Sequence, residues 1–238
     1  MRFVSSAAVI AAEALGKECV TGVAIPSRFT DPRSTESARE LAKSLGIGFE
    51  VVELGSLHKQ AEVTLGKLLE GGSTAENMQA RLRMMILMSY VNHHGGFLVN
   101  TSNKTELTLG YSTLYGDMAG AISPLGDLTK PEVYALARWI NGKDEGRRMK
   151  DERGKMKEER GVIPQFVMER KPSAELRENQ VDPFDYEKIS PEMEALVRNN
   201  QGNAAMRASE HKRWQMGLVL KVSDKSFGRG RLMPITRK

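Results

Sequence analysis

Between residues 6 and 140 the apolar positions switch back and forth between a helical and a strand-like period, and this alternation restricts the fold more than any other feature of the chain. Ser6 to Leu15 reads as a helix stopped by Gly16, and Val20 to Ile25 as a strand broken by Pro26. Thr35 to Leu45 repeats the helix, with Ala38, Leu41, Ala42 and Leu45 on one face and Gly46 at its end. Phe49 to Leu54 is a second strand. Two helical stretches follow, His58 to Leu69 and Ala75 to Asn92; the second starts after a candidate cap, Thr74, and its apolar run Met84 to Met88 marks it as a buried helix. Phe97 to Asn100 is a third strand and Pro131 to Ile140 the next helix. Helices alternating with short strands predict an α/β fold with a parallel, Rossmann-like sheet, whose ligands sit beyond the carboxyl ends of the strands.

Composition narrows the class. Apolar residues make up 40% and charged residues 27% of the 238, and no apolar run is long enough to span a bilayer, so a membrane protein is not expected. Cys19 is the one cysteine, which excludes an intramolecular disulfide, fits a cytoplasmic protein, and reads as a small buried hydrophobe. The chain reads as one domain, 1–238, with two departures in character. Residues 142–161 hold fourteen charged residues out of twenty and read as a solvated insert. Residues 207–238 carry nine Lys/Arg against two Asp/Glu and form a basic, helical and then irregular tail. No zinc-ligand spacing or RNA-binding aromatic motif accompanies that tail, so nucleic acid is not an expected partner.

The stretch from Thr101 to Lys130 is too polar and Gly-rich to read as core, yet Leu107, Leu109, Tyr111, Leu114, Tyr115 and Met118 give it apolar anchors. A long connection of this kind after a strand is usually functional. Thr101, Lys104, Glu106, Asp117, Asp127 and Lys130 bring together groups that suit a magnesium-bound phosphate substrate, with the lysines as point charges. Asn77 and Arg81 lie four residues apart on one face of an otherwise apolar helix, where polar groups need partners or a polar ligand. Pro172 and Ser173 are placed to cap a short helix opening at Ala174, a site for phosphate. Asp182 to Glu194, with Pro183 and Pro191, reads as a short excursion.

ENMQARLRMM at 76–85, TSNKTELTLGYSTLYGDMAG at 101–120, KPSAEL at 171–176, DPFDY at 182–186, and HKRWQ with FGRGR near the end together resemble the synthetase domain of the NAD synthase family, most of all its glutamine-dependent form. The resemblance runs in order over nearly the whole chain. It implies an adenine-nucleotide hydrolase-like fold and the amidation of deamido-NAD by ATP and ammonia, through an adenylylated nicotinate carboxylate. By motif, Asn77, Glu106, the segment Tyr111, Ser112, Thr113 and Leu114, and Lys212 would contact deamido-NAD. Thr101 and Lys130 would serve ATP, Ser173 would meet phosphate, and Arg81 would help hold the ligand. Glu106, Asp117 and Lys130 would be the catalytic groups, with Glu106 on Mg2+. The family resemblance also implies a homodimer, with ammonia from solution or from a separate glutaminase or N-terminal chain. It further implies a pyrophosphate loop of pattern SGGxDS, preceded by a strand. The residues in that place are Met1 to Ser6, MRFVSS, without the glycines or the aspartate, and the strand is expected to be missing. From the resemblance, replacing Glu106 or Lys130 by Ala is expected to change ligand binding without a large loss of stability.

Overall fold

A computed structural model describes residues 2–145 and 161–227. Most of the charged insert and the end of the basic tail, with all of its FGRGR motif except Phe227, therefore lie outside the described residues.

The helices begin and end where local chemistry directs them. Helix α1 spans Arg2–Leu15, so the residues in the place of the glycine loop belong to its first turns. After a 3-10 turn at Lys17–Cys19, strand β1 is Thr21–Ala24. Helix α2, Pro32–Leu45, has Pro at its first position and the Asp31 carboxylate accepting from the Arg33 amide at 2.9 Å. It ends at Gly46, whose φ of 69° is the left-handed conformation that suits glycine. Strand β2 is Gly48–Val51, and α3 is Gly55–Leu65, shorter than expected because a 3-10 turn takes over at Gly66–Leu69. Helix α4, Thr74–His94, starts at the expected cap, one residue before the expected first helical residue, with Ser73 rather than Thr74 in the cap position. Helix α5 is Lys104–Leu109, β3 is Ile122–Ser123 and α6 is Lys130–Glu145. Helices α7, Gln165–Glu169, and α8, Tyr186–Arg198, follow, then α9, Ala204–Ala208, α10, Glu210–Arg213, and strand β4, Leu218–Val219.

The strand pairs are parallel, as expected, but they do not join into one sheet. β1 pairs with β2 in register Thr21 to Gly48, and β3 pairs with β4. The third expected strand, Phe97 to Asn100, contributes only an isolated bridge from Val99 to Ile122. Gly95 and Gly96 before it have φ of 80° and 94°, and the far edge of the segment meets a cavity instead of another strand, so no ladder extends it. Among the described residues no backbone hydrogen bond connects the two pairs.

Three further expectations need correction. Cys19 is exposed, because the 3-10 turn holding it packs no side chain inward. Asp182 to Glu194 is mostly helix: α8 accommodates Pro191 within it. Helix α4 is buried only in part. Met78, Gln79 and Ala80 are inside, whereas Met85 and Met88 are 50% and 43% exposed on the opposite face. No helix among the described residues is long and apolar enough to cross a membrane.

One core cluster joins α5, α8, α9 and β4 through Leu107, Val197, Met206 and Val219, and another packs α2, α6 and α7 through Leu41, Ala137 and Val167. Between them runs the polar Thr101 to Lys130 stretch, and it is core after all. Asn103, Lys104, Thr105, Thr108, Asp127 and Lys130 are all at most 2% exposed. Such groups stay buried only when paired. The first turns of α5 and α6 satisfy each other: the Lys104 amide donates to Leu128 O at 2.8 Å, and the Lys130 amide to the Thr105 hydroxyl at 3.1 Å.

Candidate active site

A cavity of about 520 Å³ opens at the carboxyl end of β1, between that strand and residues 99–102. One turn pattern of α4 closes it from below with Ala80, Arg83, Met84 and Leu87. Arg83 is fastened there by donating to Ile25 O at 3.1 Å, and burial pulls its guanidinium below the ordinary range. Of the residues singled out from sequence, Thr101, Glu106, Tyr111, Asp117, Lys130 and Ser173 line this one space.

The polar end of the cavity is organised by Lys130. Its ammonium is 2.7 Å from Glu106 Oε1 and 3.0 Å from Asp182 Oδ2, with the Tyr186 ring 3.8 Å away. Burial raises the Glu106 carboxyl above its usual range, with Lys130 opposing the rise. Asp117 lies beyond, its carboxyl pushed up to about 6 by burial while the Thr113 amide, donating at 2.5 Å, opposes that.

The remaining predicted residues surround the turn that carries Tyr111 and Asp117 instead of lining the cavity. Lys212 donates to Gly110 O at 2.9 Å and Ser112 O at 2.7 Å, and burial lowers its ammonium below the usual lysine range. Arg81 donates to Leu114 O at 3.1 Å, and the Thr113 hydroxyl donates to Asn77 Oδ1 at 2.7 Å. Asn77 and Arg81 thus face polar partners, as their spacing required, and those partners are protein groups.

Two expectations fail here. Lys104 does not serve the cavity: its ammonium is 3.0 Å from Asp127, 2.7 Å from Glu194 and 3.0 Å from the Ser223 hydroxyl, away from the lining. No helix opens at Ala174. Glu175 has φ of 52°, and the Leu176 amide donates to Gln180 Oε1 at 2.7 Å, so the chain turns away from helical geometry. Ser173 instead accepts from the Glu175 amide in a local turn at 3.1 Å.

Asn100 and Asp182 were not among the expected site residues. Asn100 is 2% exposed, donates to Asp117 O at 2.7 Å and accepts from the Ser102 amide at 3.0 Å, which fixes the path into α5. A polar residue ending an apolar run was the signal available for it. For Asp182, the only signal was its place in the DPFDY motif. Among the described residues no group of three or more His, Cys, Asp or Glu side chains is arranged to hold a metal ion.

A model of NAD synthase matches residues 4–226. The chain belongs to the NAD synthase family. The glutamine-dependent NAD(+) synthetase of Synechocystis sp. is 36% identical over 98% of this chain, and that of Thermotoga maritima 35% identical over 98%. The match covers 43% and 42% of those two proteins, so the chain spans less than half the length of the curated relatives it matches. The glutamine-dependent NAD+ synthetase from Acinetobacter baumannii, solved in complex with ADP, is 30% identical, with a TM-score of 0.63 over 98% of this chain and 43% of that one. An NMN synthetase from Francisella tularensis shares the fold at 22% identity, with a TM-score of 0.66 over 92% of this chain and 84% of its own. NAD synthase family membership thus confirms the α/β, adenine-nucleotide hydrolase-like fold expected from the motifs, here with its parallel strands in two separate pairs.

Proposed function

We propose that the chain contributes the synthetase site of a ligase that converts deamido-NAD to NAD. The nicotinate carboxylate attacks the α-phosphorus of ATP and pyrophosphate leaves. Ammonia then attacks the adenylylated carbonyl, loses a proton, and AMP departs. The observation that carries this reading is the convergence of Glu106, Tyr111, Asp117 and Lys130, from the 101–130 stretch, with Ser173 on one cavity.

The residue chemistry supports the roles. Lys130 and Thr101 serve the ATP side, where a fixed cation stabilises charge developing on phosphorus. Glu106 and Tyr111 serve deamido-NAD, while Asn77, Arg81, Ser112, Thr113, Leu114 and Lys212 hold the turn that presents it. Asp117, raised towards neutrality, is placed to take the proton released from ammonia. Glu106 is the residue that would hold Mg2+, because Mg2+ is commonly bound by one or two carboxylates together with substrate phosphates, and Glu106 lines the cavity. Its chemistry there would be to neutralise phosphate charge. That the Acinetobacter relative was solved in complex with ADP supports a nucleotide ligand for this chain. The exposed Met85 and Met88 stripe on α4 supports a homodimer, and the single, exposed cysteine fits a cytoplasmic setting.

A second reading, a deamido-NAD-binding or dimer-partner remnant without turnover, is favoured by one observation. Arg2 to Ser6 are helical, and no SGGxDS run occurs in the 238 residues, so backbone amides for pyrophosphate are not provided there. Calorimetric titration with deamido-NAD and with Mg-ATP, followed by an NAD assay with ammonia, separates the two. Binding of both and turnover supports the ligase; binding of deamido-NAD alone supports the remnant; binding of neither removes both.

A further inference from the structure

Asp182 meets three parts of the cavity wall at once. Its Oδ2 takes the Lys130 ammonium at 3.0 Å and the Tyr186 hydroxyl at 2.9 Å. Oδ1 takes the Tyr111 hydroxyl at 3.4 Å. Its backbone amide donates to Pro172 O at 3.0 Å, closing the loop that carries Ser173. Two residues on, the Phe184 ring stands edge-on between Tyr111, 5.1 Å away, and Tyr186, 5.8 Å away. The Asp182 side chain is only 5% exposed, so these bonds act in a low-dielectric setting where charge-assisted contacts are strong and geometry is well defined.

We propose that Asp182 is a positioning residue that couples the two substrate halves of the site, holding Lys130 on the ATP side, Tyr111 on the deamido-NAD side and the Ser173 loop in one arrangement. This rests on the functional reading above. Lys130 is shared between two carboxylates, Glu106 at 2.7 Å and Asp182 at 3.0 Å. Glu106 and Asp182 both line the cavity, and the Tyr186 ring stands 3.8 Å from the ammonium. Without the Asp182 charge the ammonium is drawn more strongly to Glu106, the carboxylate needed for ligand. An Asn side chain keeps one acceptor oxygen where Asp182 offers two, so Tyr111 and Tyr186 compete for it in the same event, and a change on one side of the site is transmitted to the other. Burial and the Asp182 charge keep the phenols of Tyr111 and Tyr186 protonated well above the ordinary tyrosine range, so both hydroxyls remain donors to this carboxylate.

The test uses Asp182→Asn, which keeps shape and removes charge, and Tyr111→Phe, which removes only one bond. Deamido-NAD affinity, by calorimetry, is expected to fall about tenfold in Asp182→Asn and about threefold in Tyr111→Phe, with the double variant losing less than the product because the two share one bond. The second readout needs no ligand. In protein labelled at the tyrosine ring carbon bearing oxygen, NMR resolves the five tyrosines, two of which are assigned by Tyr111→Phe and Tyr186→Phe. Asp182→Asn is expected to shift the Tyr111 and Tyr186 signals and leave Tyr90, Tyr115 and Tyr134 in place, which a general loss of stability would not do. Affinity within twofold of the parent, or unmoved Tyr111 and Tyr186 signals, overturns the proposal. Should the parent protein bind no deamido-NAD, the functional reading fails, and the NMR signals alone decide the Asp182 linkage. Should Asp182→Asn not fold, Tyr111→Phe decides: unchanged affinity overturns the coupling.

Discussion

Lys104 and Lys130 open two successive helices, each is at most 1% exposed, and each ammonium sits between two carboxylates, yet only Lys130 faces the cavity. The difference lies in what their partners do next. Asp127, beside Lys104, also accepts from the Val222 and Ser223 amides, both at 2.6 Å, so this centre fastens residues 222–223 onto α5. Burial pushes the Asp127 carboxyl up, but the bonds from Ser223, Lys104 and Val222 outweigh it and hold the group below its usual range. Around Lys130 the balance is reversed: Glu106 is raised by burial, and its surroundings include open space. A centre tied down by backbone amides serves stability; a centre that borders a cavity is available to a ligand.

Lys104→Met is the sharpest way to break the comparison. Removing one partner of a buried pair costs about 3–5 kcal/mol, because the remaining charge is left uncompensated. A urea melt is expected to show that loss, and a fall of less than 1 kcal/mol would mean that Asp127 needs only its amide donors. Lys130→Met is expected to cost less than Lys104→Met, since burial raises the Glu106 carboxyl whereas Asp127 is held below its usual range, and to abolish nucleotide binding in whatever fraction remains folded. The burial of Lys130 thus changes the expectation drawn from sequence: replacing it affects stability as well as binding, and melting and calorimetry on the same sample separate the two.

Asp117 provides the third test. With its carboxyl raised from 3.8 to about 6, the folded state holds more protons than the unfolded state between those values, so this group's contribution to stability falls as pH rises through that window. The total is on the order of 3 kcal/mol. The difference in stability between Asp117→Asn and the parent should therefore grow in favour of the variant from pH 4 to pH 6 and level off above. A flat difference would place Asp117 in contact with water.

The smallest effect is expected at an exposed pair. Arg28 is bidentate to Glu62 at 3.0 and 2.7 Å, but the side chains are 58% and 33% exposed. Glu62→Gln should cost about 0.2–1 kcal/mol and lose its effect in high salt. A loss as large as that of Lys104→Met would show that burial is not what separates the two kinds of pair.

The sequence could not distinguish Lys104 from Lys130. Both lie in a polar stretch, and the partners that decide their roles, Glu194 and Ser223 for one and Asp182 for the other, are distant in sequence. Local signals did better. Helix α2 was legible in its i, i+3, i+4 spacing and its terminal Gly46, because those depend only on neighbours. The strand at residues 97–100 was not, since a strand exists only by its partners and Val99 found one bridge. Most of the candidate site came through motif resemblance; composition alone had placed Lys104 at a phosphate. The helix expected after Ser173 failed through the left-handed backbone of Glu175, a conformation that glutamate's composition gives no reason to foresee.

The division of the parallel strands into two pairs has a consequence for exchange with solvent. In a parallel ladder, the peptide groups of alternate residues point to opposite sides, and β1 is bonded only on the side of β2. Among the described residues the Val23 amide, on the side away from β2, has no backbone partner, so it must find one in the cavity, from water or from whatever occupies it. Deuterium should enter β1 in a two-tier pattern, one residue protected and the next open, and a ligand that fills the cavity should slow the open tier alone.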